Sequence, residues 1–292
     1  MSYLSYEYNG VRGVGEVDGE SLIPLQDISE IGRSTTIETL ASAERMTNHP
    51  LVLEEVRVLP VVTDPARVIC VGLNYRDHIV ETKRDFPTYP VMFPKFASSL
   101  IGAYDDIVVP PESSEVDYEG EMAVVIGRRG RRITEEDALD HVLGYTVAND
   151  ITMRDFQYKT HQWMQGKAWD ASTPLGPRIV CPAEVDLDSC GIRTIVNGEK
   201  VQESNLSQLL FTVPNLIATI STFTTLEPGD VILTGTPGGV GYRRKPQLLL
   251  KPGDHVSVEI DHLGAVSNRL VAGDGEQPTG GRRRLAPIVY QL

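Results

Sequence analysis

Three carboxylates have the spacing that could do chemistry together. In Val116-Asp117-Tyr118-Glu119-Gly120-Glu121-Met122, a single residue separates Glu119 from Glu121. On a strand, side chains at i and i+2 share a face, so the two carboxylates point the same way. So placed, they repel and raise each other's pKa unless a cation lies between them. The chain runs on into Ala123-Val124-Val125-Ile126, which reads as buried on both faces, and carboxylates entering a core need neutralising. A solvent-facing strand edge is the plain alternative. Asp150, at the end of the apolar stretch Leu143–Val147, supplies a third carboxylate. Three carboxylates without a nearby Cys or His form a hard oxygen site suited to Mg²⁺, Mn²⁺ or Ca²⁺. Three protein ligands also leave open positions for a chelating substrate. Asp117 and Asp155 are rival ligands on sequence grounds.

Three further clusters carry reactive groups. In Asn74-Tyr75-Arg76-Asp77-His78-Ile79-Val80-Glu81, a helix would make His78 and Glu81 i,i+3 neighbours. A carboxylate-oriented histidine is a plausible general base near neutral pH, and an ordinary polar pair on a wet helix face is the alternative. The pattern is not H-E-x-x-H, which removes the zinc-protease reading. Lys167, amid the uncharged Met164-Gln165-Gly166 and Ala168-Trp169, could stabilise an oxyanion or sit on the surface. In Leu233-Thr234-Gly235-Thr236-Pro237-Gly238-Gly239-Val240-Gly241, glycines free backbone N–H groups to approach an anion and Thr236 adds a hydroxyl. No Lys-Ser/Thr follows, so a carboxylate-binding turn or a plain tight loop fits better than a phosphate loop. His161 lies close in sequence to Gln157 and Lys167; the other four histidines show no ligand spacing.

The elements that must position these groups are short and mostly β. Val68–Val71, Ala123–Ile126 and Gly144–Val147 read as buried strands, and two Pro-Gly-Asp turns feed strands at Val231–Thr234 and Val256–Ile260. Asp261-His262-Leu263-Gly264 closes a hairpin onto Ala265–Val271. Helical patterns appear around Ile37–Arg45 and over Ala138–Val142, the latter preceded by Thr134 as an N-cap. Few helices among many strands predict a mixed, β-dominated (α+β) roll or barrel. Thr63-Asp64-Pro65 marks a boundary, giving a small N-terminal domain (1–62), a main domain (63–272) and a Gly/Arg-rich tail (273–292).

The totals exclude several classes. Forty acidic against 27 basic residues give a net charge of −13, which repels phosphate backbones and argues against nucleic acid as a partner. Arg282-Arg283-Arg284 reads as a solvated run. No apolar run approaches the roughly 20 residues of a membrane helix, and no secretory pattern opens the chain, so a cytoplasmic protein is expected. Cys70, Cys181 and Cys190 have neither disulfide-framework nor zinc spacing and read as structural.

Together and in this order, the motifs Val71-Gly72-Leu73-Asn74-Tyr75 with His78, Glu119-Gly120-Glu121, Asp150 with Arg154-Asp155-Phe156-Gln157, Gly166-Lys167 and Thr234–Gly241 resemble the fumarylacetoacetate hydrolase family. The resemblance spans about Arg67 to Val271. It is nearest the bacterial branch of acylpyruvate hydrolases, oxaloacetate decarboxylases and 2-hydroxyhepta-2,4-diene-1,7-dioate isomerases. It implies a β-sandwich roll, generally dimeric, with Glu119, Glu121 and Asp150 holding Mg²⁺ or Mn²⁺. His78 and Glu81 match the family's base and its orienting partner, on a lid. Lys167, Gln157 and Arg154 match polar groups near substrate or nascent enolate, and Thr236 with Gly235 and its loop matches the holder of the substrate carboxylate. The implied reaction is C–C hydrolysis of an acylpyruvate such as fumarylpyruvate, through a pyruvate enolate stabilised by the metal and Lys167. Oxaloacetate decarboxylation, or isomerisation or hydration of an unsaturated 2-oxo dioate in aromatic catabolism, are the alternatives. A non-catalytic metal-binding protein is a further one, against which the His78–Glu81 pair and Lys167 stand. Lys83 and Arg84 could greet a second carboxylate of the substrate.

Overall fold

The computed structural model of the chain describes residues 1–82 and 85–273. The tail beyond Gly273, with its three arginines, and the Lys83-Arg84 pair lie outside the described residues. The expected β-dominated fold is present as two large mixed sheets and a two-stranded ribbon that pairs Val116–Asp117 with Thr152–Met153. The larger has 12 strands, whose central members are Ser2–Tyr8, Thr173–Val180, Val142–Asn149, Gly120–Ile126, Val231–Leu233 and Val68–Gly72 in spatial order. The smaller has five, running Glu199–Asn205, Gly191–Val196, His255–Ile260, Gly264–Ala272 and Ile107–Val109.

Gly120–Ile126 is buried along its whole length, as its unbroken apolar run implies for a strand covered on both faces. Alternation sends Met122, Val124 and Ile126 into one core with Ile192, Val258 and Val266 of the smaller sheet. It sends Ala123 and Val125 into another, with Val68, Cys70, Leu143 and Leu233. Glu121 belongs to this second face. Gly120 faces the smaller sheet, where an added Cβ would collide with Thr194 Oγ1 and approach Val258 Cγ1 at 3.0 Å. The residue between the two glutamates is therefore glycine because the sheets meet there.

Residues 1–62 join the same architecture. Ser2 and Tyr3 pair with Val180 and Ile179, and Leu4, Tyr6 and Leu22 share a core with Met122 and Val124. The segment set apart by the sequence reading thus hydrogen-bonds directly onto the main sheet.

Local expectations fare unevenly. The hairpin through Asp261–Gly264 forms, with Gly264 at a positive φ of 109°. The helix expected over Ala138–Val142 is instead a 3₁₀ turn, Ala138–His141, because Val142 already pairs with Ile126 in the sheet. An unanticipated 11-residue helix spans Val213–Phe223. Its β-branched content reads as strand, but the Thr212 cap, a Pro in the first turn and buried Val213, Leu216, Ile217 and Ile220 set a helical period. Among the described residues, no helix is long and apolar enough to cross a membrane.

Replacing Gly120 by Ala forces the two sheets apart at their closest point. The expected cost is about 1–3 kcal/mol, the range for overpacking a filled core, read as a lowered denaturation midpoint. An unchanged midpoint would show that the sheets yield freely here.

Candidate metal centre and its cavity

Antiparallel pairing assembles the acidic cluster. Gly120 stands opposite Asn149, and the Asp150 amide donates to the Glu119 carbonyl at 2.8 Å, which extends the register by one residue. Directly opposed residues point to the same side of a sheet, so Asp150 projects beside Glu119, and Glu121 follows two residues on. One carboxylate oxygen from each lies within 4.8 Å of the others, and all three residues are buried. This set can hold a divalent cation.

Buried cations surround two of the three. Lys167 Nζ lies 2.6 Å from Glu119 Oε2 and 2.7 Å from Asp150 Oδ2. Lys95 Nζ lies 2.6 Å from Asp150 Oδ1 and also donates to the Ile151 carbonyl at 3.3 Å. Arg154 Nη2 lies 2.7 Å from Glu119 Oε1 and 2.8 Å from Asp117 Oδ2. Burial alone would raise the Glu119 pKa, but Lys167 and Arg154 outweigh it and hold the carboxyl down to about 2. Glu121 behaves oppositely. It accepts one backbone hydrogen bond, from Gly235 N at 2.7 Å, and forms no ion pair among the described residues. Burial, then the charges of Asp150 and Glu119, push its carboxyl well above the usual range. A carboxylate crowded by two others and lacking its own counter-charge fits a divalent cation.

The structure separates the rival ligands from this cluster. Asp117 Oδ1 accepts from Tyr118 N and Gly241 N, while Oδ2 accepts from Tyr242 N and Arg154 Nε, all within 3.0 Å. Its lone pairs are spent on organising the loop. Asp155 accepts from the Ser113 hydroxyl and Phe156 N and lies outside the cluster.

His78, Glu119, Glu121, Arg154, Gln157, Lys167 and Thr236 line one cavity, walled also by Phe93, Trp163, Val240, Tyr242 and Arg243. The helix Arg76–Thr82 presents His78, 9% exposed, whose Nδ1 lies 3.2 Å from Glu81 Oε2. Nε2 has no hydrogen-bond partner among the described residues. Burial raises the Glu81 pKa, yet the hydrogen bonds from His78 and Gly239 N lower it overall. Arg154 Nη1 donates to Gln157 Oε1 at 2.9 Å, leaving the Gln157 amide nitrogen without a partner among the described residues. Thr236 Oγ1 accepts from Gln202 Nε2 at 2.8 Å, so its own proton remains available.

The glycine loop departs from expectation. Its N–H groups serve protein carboxylates: Gly235 donates to Glu121, Gly238 to Asp77, Gly239 to Glu81, and Gly241 and Tyr242 to Asp117. These amides therefore do not form an open cradle for a substrate anion, while the Thr236 side chain lines the cavity. His161 lies on a neighbouring groove that shares Phe93, Tyr158 and Trp163 with this cavity, and does not itself line the cavity. Sequence reasoning missed Lys95 and Gln202. A lysine ending the apolar strand Val91–Lys95 was the available signal for the first. Nothing local marks Gln202, which takes N–H of Gly120 and Thr194 Oγ1 on its Oε1 and reaches Thr236 and the Pro237 carbonyl with Nε2.

Comparison with known proteins follows this geometry. The profile of the fumarylacetoacetate (FAA) hydrolase C-terminal domain matches residues 67–271. A mitochondrial oxaloacetate tautomerase of Xenopus laevis is 48% identical over 250 residues, covering 85% of this chain and 78% of that protein. Its Homo sapiens counterpart is 50% identical over 220 residues, covering 74% and 70%. Among solved structures, a 2-hydroxyhepta-2,4-diene-1,7-dioate isomerase from Mycobacterium marinum superposes with a TM-score of 0.80 at 31% identity, covering 94% of this chain and 99% of that one. A fumarylacetoacetate hydrolase from Exiguobacterium antarcticum gives 0.78 at 35% identity, covering 94% and 100%.

Two substitutions separate metal holding from scaffolding. Because the folded Glu121 pKa is raised, the unfolded chain ionises first as pH rises above the usual carboxylate range, and metal-free stability falls from there up to the folded value. Glu121→Gln removes that loss, so metal-free protein at pH 8 should melt higher than wild type while losing the shift that Mn²⁺ produces. For wild type, that shift is about 2.7 kcal/mol at a hundredfold excess over Kd. Asp117→Ala should cost about 3–5 kcal/mol, as for a broken buried pair, with or without metal. An unaltered Mn²⁺ shift in Glu121→Gln would remove Glu121 from the ligand set.

Proposed function

The chain belongs to the fumarylacetoacetate hydrolase family, and from that membership and the site's geometry we propose that it interconverts the enol and keto forms of a small 2-oxo dicarboxylate of the oxaloacetate class. One observation carries the reading: His78, held by Glu81, stands on the wall of the cavity that Glu119 and Glu121 of the acidic triad also line. A keto–enol exchange needs one relay of this kind and no second reactant. The tautomerase relatives, similar over most of the chain, support the choice.

A divalent cation, Mg²⁺ or Mn²⁺, held by Glu119, Glu121 and Asp150 would supply Lewis-acid polarisation of the 2-oxo group. Charge matching favours an anionic ligand. Asp117, Glu119, Glu121 and Asp150 carry four formal negative charges against three positive ones on Lys95, Lys167 and Arg154. Two further positive charges leave the centre at plus one, suited to a carboxylate. Gln157 and the Thr236 hydroxyl offer donors that fix the ligand's orientation. Neutral His78 takes the enol O–H proton on Nε2, the Glu81 carboxylate stabilises the resulting imidazolium, and Nε2 returns the proton to C3. The proton count balances without water. Lys167 acts through Glu119 and Asp150, its ammonium being committed to both.

C–C hydrolysis of an acylpyruvate such as fumarylpyruvate is the second reading, favoured by the likeness to the Exiguobacterium hydrolase. In that reaction His78 would instead activate a water.

The deciding assay supplies Mn²⁺-loaded protein with freshly dissolved enol-oxaloacetate and with fumarylpyruvate, following absorbance and CO₂ together. Accelerated enol loss without CO₂, abolished by EDTA and lowered about 10²- to 10⁴-fold by His78→Ala, is the expected result. Rapid fumarylpyruvate cleavage would favour hydrolysis, and CO₂ release decarboxylation. Wild-type rates in His78→Ala would overturn the proton-relay role in either reading.

A further inference from the structure

Four cationic or protonatable side chains line the cavity: His78, Arg154, Lys167 and Arg243. Three are already engaged. Lys167 bridges Glu119 and Asp150, Arg154 bridges Asp117 and Glu119, and His78 is held by Glu81. Arg243 differs. Its guanidinium forms no hydrogen bond or contact ion pair among the described residues; its charge reaches Glu81, whose pKa it helps lower, and it lies 5.7 Å from the Tyr242 ring centroid, itself part of the wall. The next residue is unlike it: Arg244 spends its guanidinium on the Val201 carbonyl and Glu199.

The base of Arg243 is firm although its head is exposed. It ends the 3₁₀ turn Gly241–Arg243, whose Gly241 and Tyr242 amides are both fixed by buried Asp117. Arg243 N donates to the Val240 carbonyl at 3.1 Å. A planar guanidinium with no hydrogen-bonded partner among the described residues, on a pinned turn that lines the same cavity as Glu119 and Glu121, can receive a second carboxylate of a ligand.

We propose that Arg243 binds the distal carboxylate of the substrate and so selects 2-oxo dicarboxylates over 2-oxo monocarboxylates. This rests on the reading that the cavity takes 2-oxo acids, and it adds the residue that chooses among them. Arg243 touches substrate remote from the reacting atoms, so it acts on binding and not on the proton transfer.

The test compares matched pairs that differ only by methyl against carboxylate: 2-oxobutanoate with oxaloacetate, and 2-oxopentanoate with 2-oxoglutarate. Dissociation constants are measured on Mn²⁺-loaded protein by calorimetry, with the oxaloacetate runs kept short. Wild type should prefer the dicarboxylate in at least one pair by about tenfold, the worth of one charge-assisted hydrogen-bonded contact. Arg243→Ala should bring that ratio near unity, Arg243→Glu should invert it, and added salt should shrink it in wild type alone. Lys245→Ala, which removes an exposed charge two residues on that does not line the cavity, should leave it intact. Equal wild-type affinities in both pairs, a ratio preserved in Arg243→Ala, or an equal loss in Lys245→Ala would each overturn the proposal. Because the ratio is read from binding, an absence of tautomerisation would overturn the functional reading alone.

Discussion

Ionised carboxylates repel one another most strongly where water is excluded, and this fold places three of them, Glu119, Glu121 and Asp150, in one buried patch. The cause is a single antiparallel register, Gly120 against Asn149, that projects all three from the same side of the sheet. Such a patch survives only with counter-charges nearby. Lys95, Lys167 and Arg154 provide them, each through contacts of 2.6–2.8 Å. Their distribution is uneven: Glu119 and Asp150 are neutralised by protein, and Glu121 is not. That asymmetry makes the cluster a receptor for a cation as well as a structural network.

The same logic shapes the cavity wall. A glycine-rich loop beside a strand end would ordinarily be the softest part of such a site, since its N–H groups need partners and glycine resists none of the available conformations. Here Glu121, Asp77, Glu81 and Asp117 collect those N–H groups. Glu81 thereby has two tasks, orienting His78 and tying its helix to the loop. The acid–base pair and the wall that carries Thr236 and Arg243 are therefore mechanically linked. Asp117 serves a parallel role, holding Arg154 on one side and the Gly241–Arg243 turn on the other.

The juxtaposition of the three carboxylates was legible in the sequence because strand periodicity is strict. Glu-Gly-Glu before a doubly apolar run specifies a shared face, and Asp150 at the end of another such run is the natural cross-strand partner. The i,i+3 spacing made His78 and Glu81 readable in the same way. What stayed hidden depends on pairing between distant segments. Asp117 looks as good a ligand as Glu119 until its contacts with Arg154 and the loop, 37 and 124 residues away, are known. Lys95 reads as an ordinary strand terminus until its approach to Asp150 across 55 residues. The Val213–Phe223 helix was obscured by its β-branched residues, whose strand preference tertiary packing overrides. The glycine loop carried the right composition for anion binding, but composition does not say whose anions.

That last point bears on how one site can serve several chemistries. If this cavity acts on 2-oxo acids as proposed, hydrolysis, decarboxylation and tautomerisation would all place a developing enolate beside the same carboxylate floor and the same histidine. The floor cannot choose among them, because its charges respond to the 2-oxo carboxylate that every such substrate shares. Choice must come from groups touching the remainder of the molecule, and from whether a water can stand within reach of His78 Nε2. On the proposed reading, the candidates on the loop held by Asp117 and Glu81 are Thr236, Val240, Tyr242 and Arg243, with Phe93, Gln157, Tyr158 and Trp163 also lining the cavity. The loop backbone is held by the carboxylates of buried Asp117 and Glu121 and part-buried Glu81. The proposed substrate-choosing groups and the acidic cluster thus sit on separate elements, the one set on a pinned loop and the other on a paired register of strands.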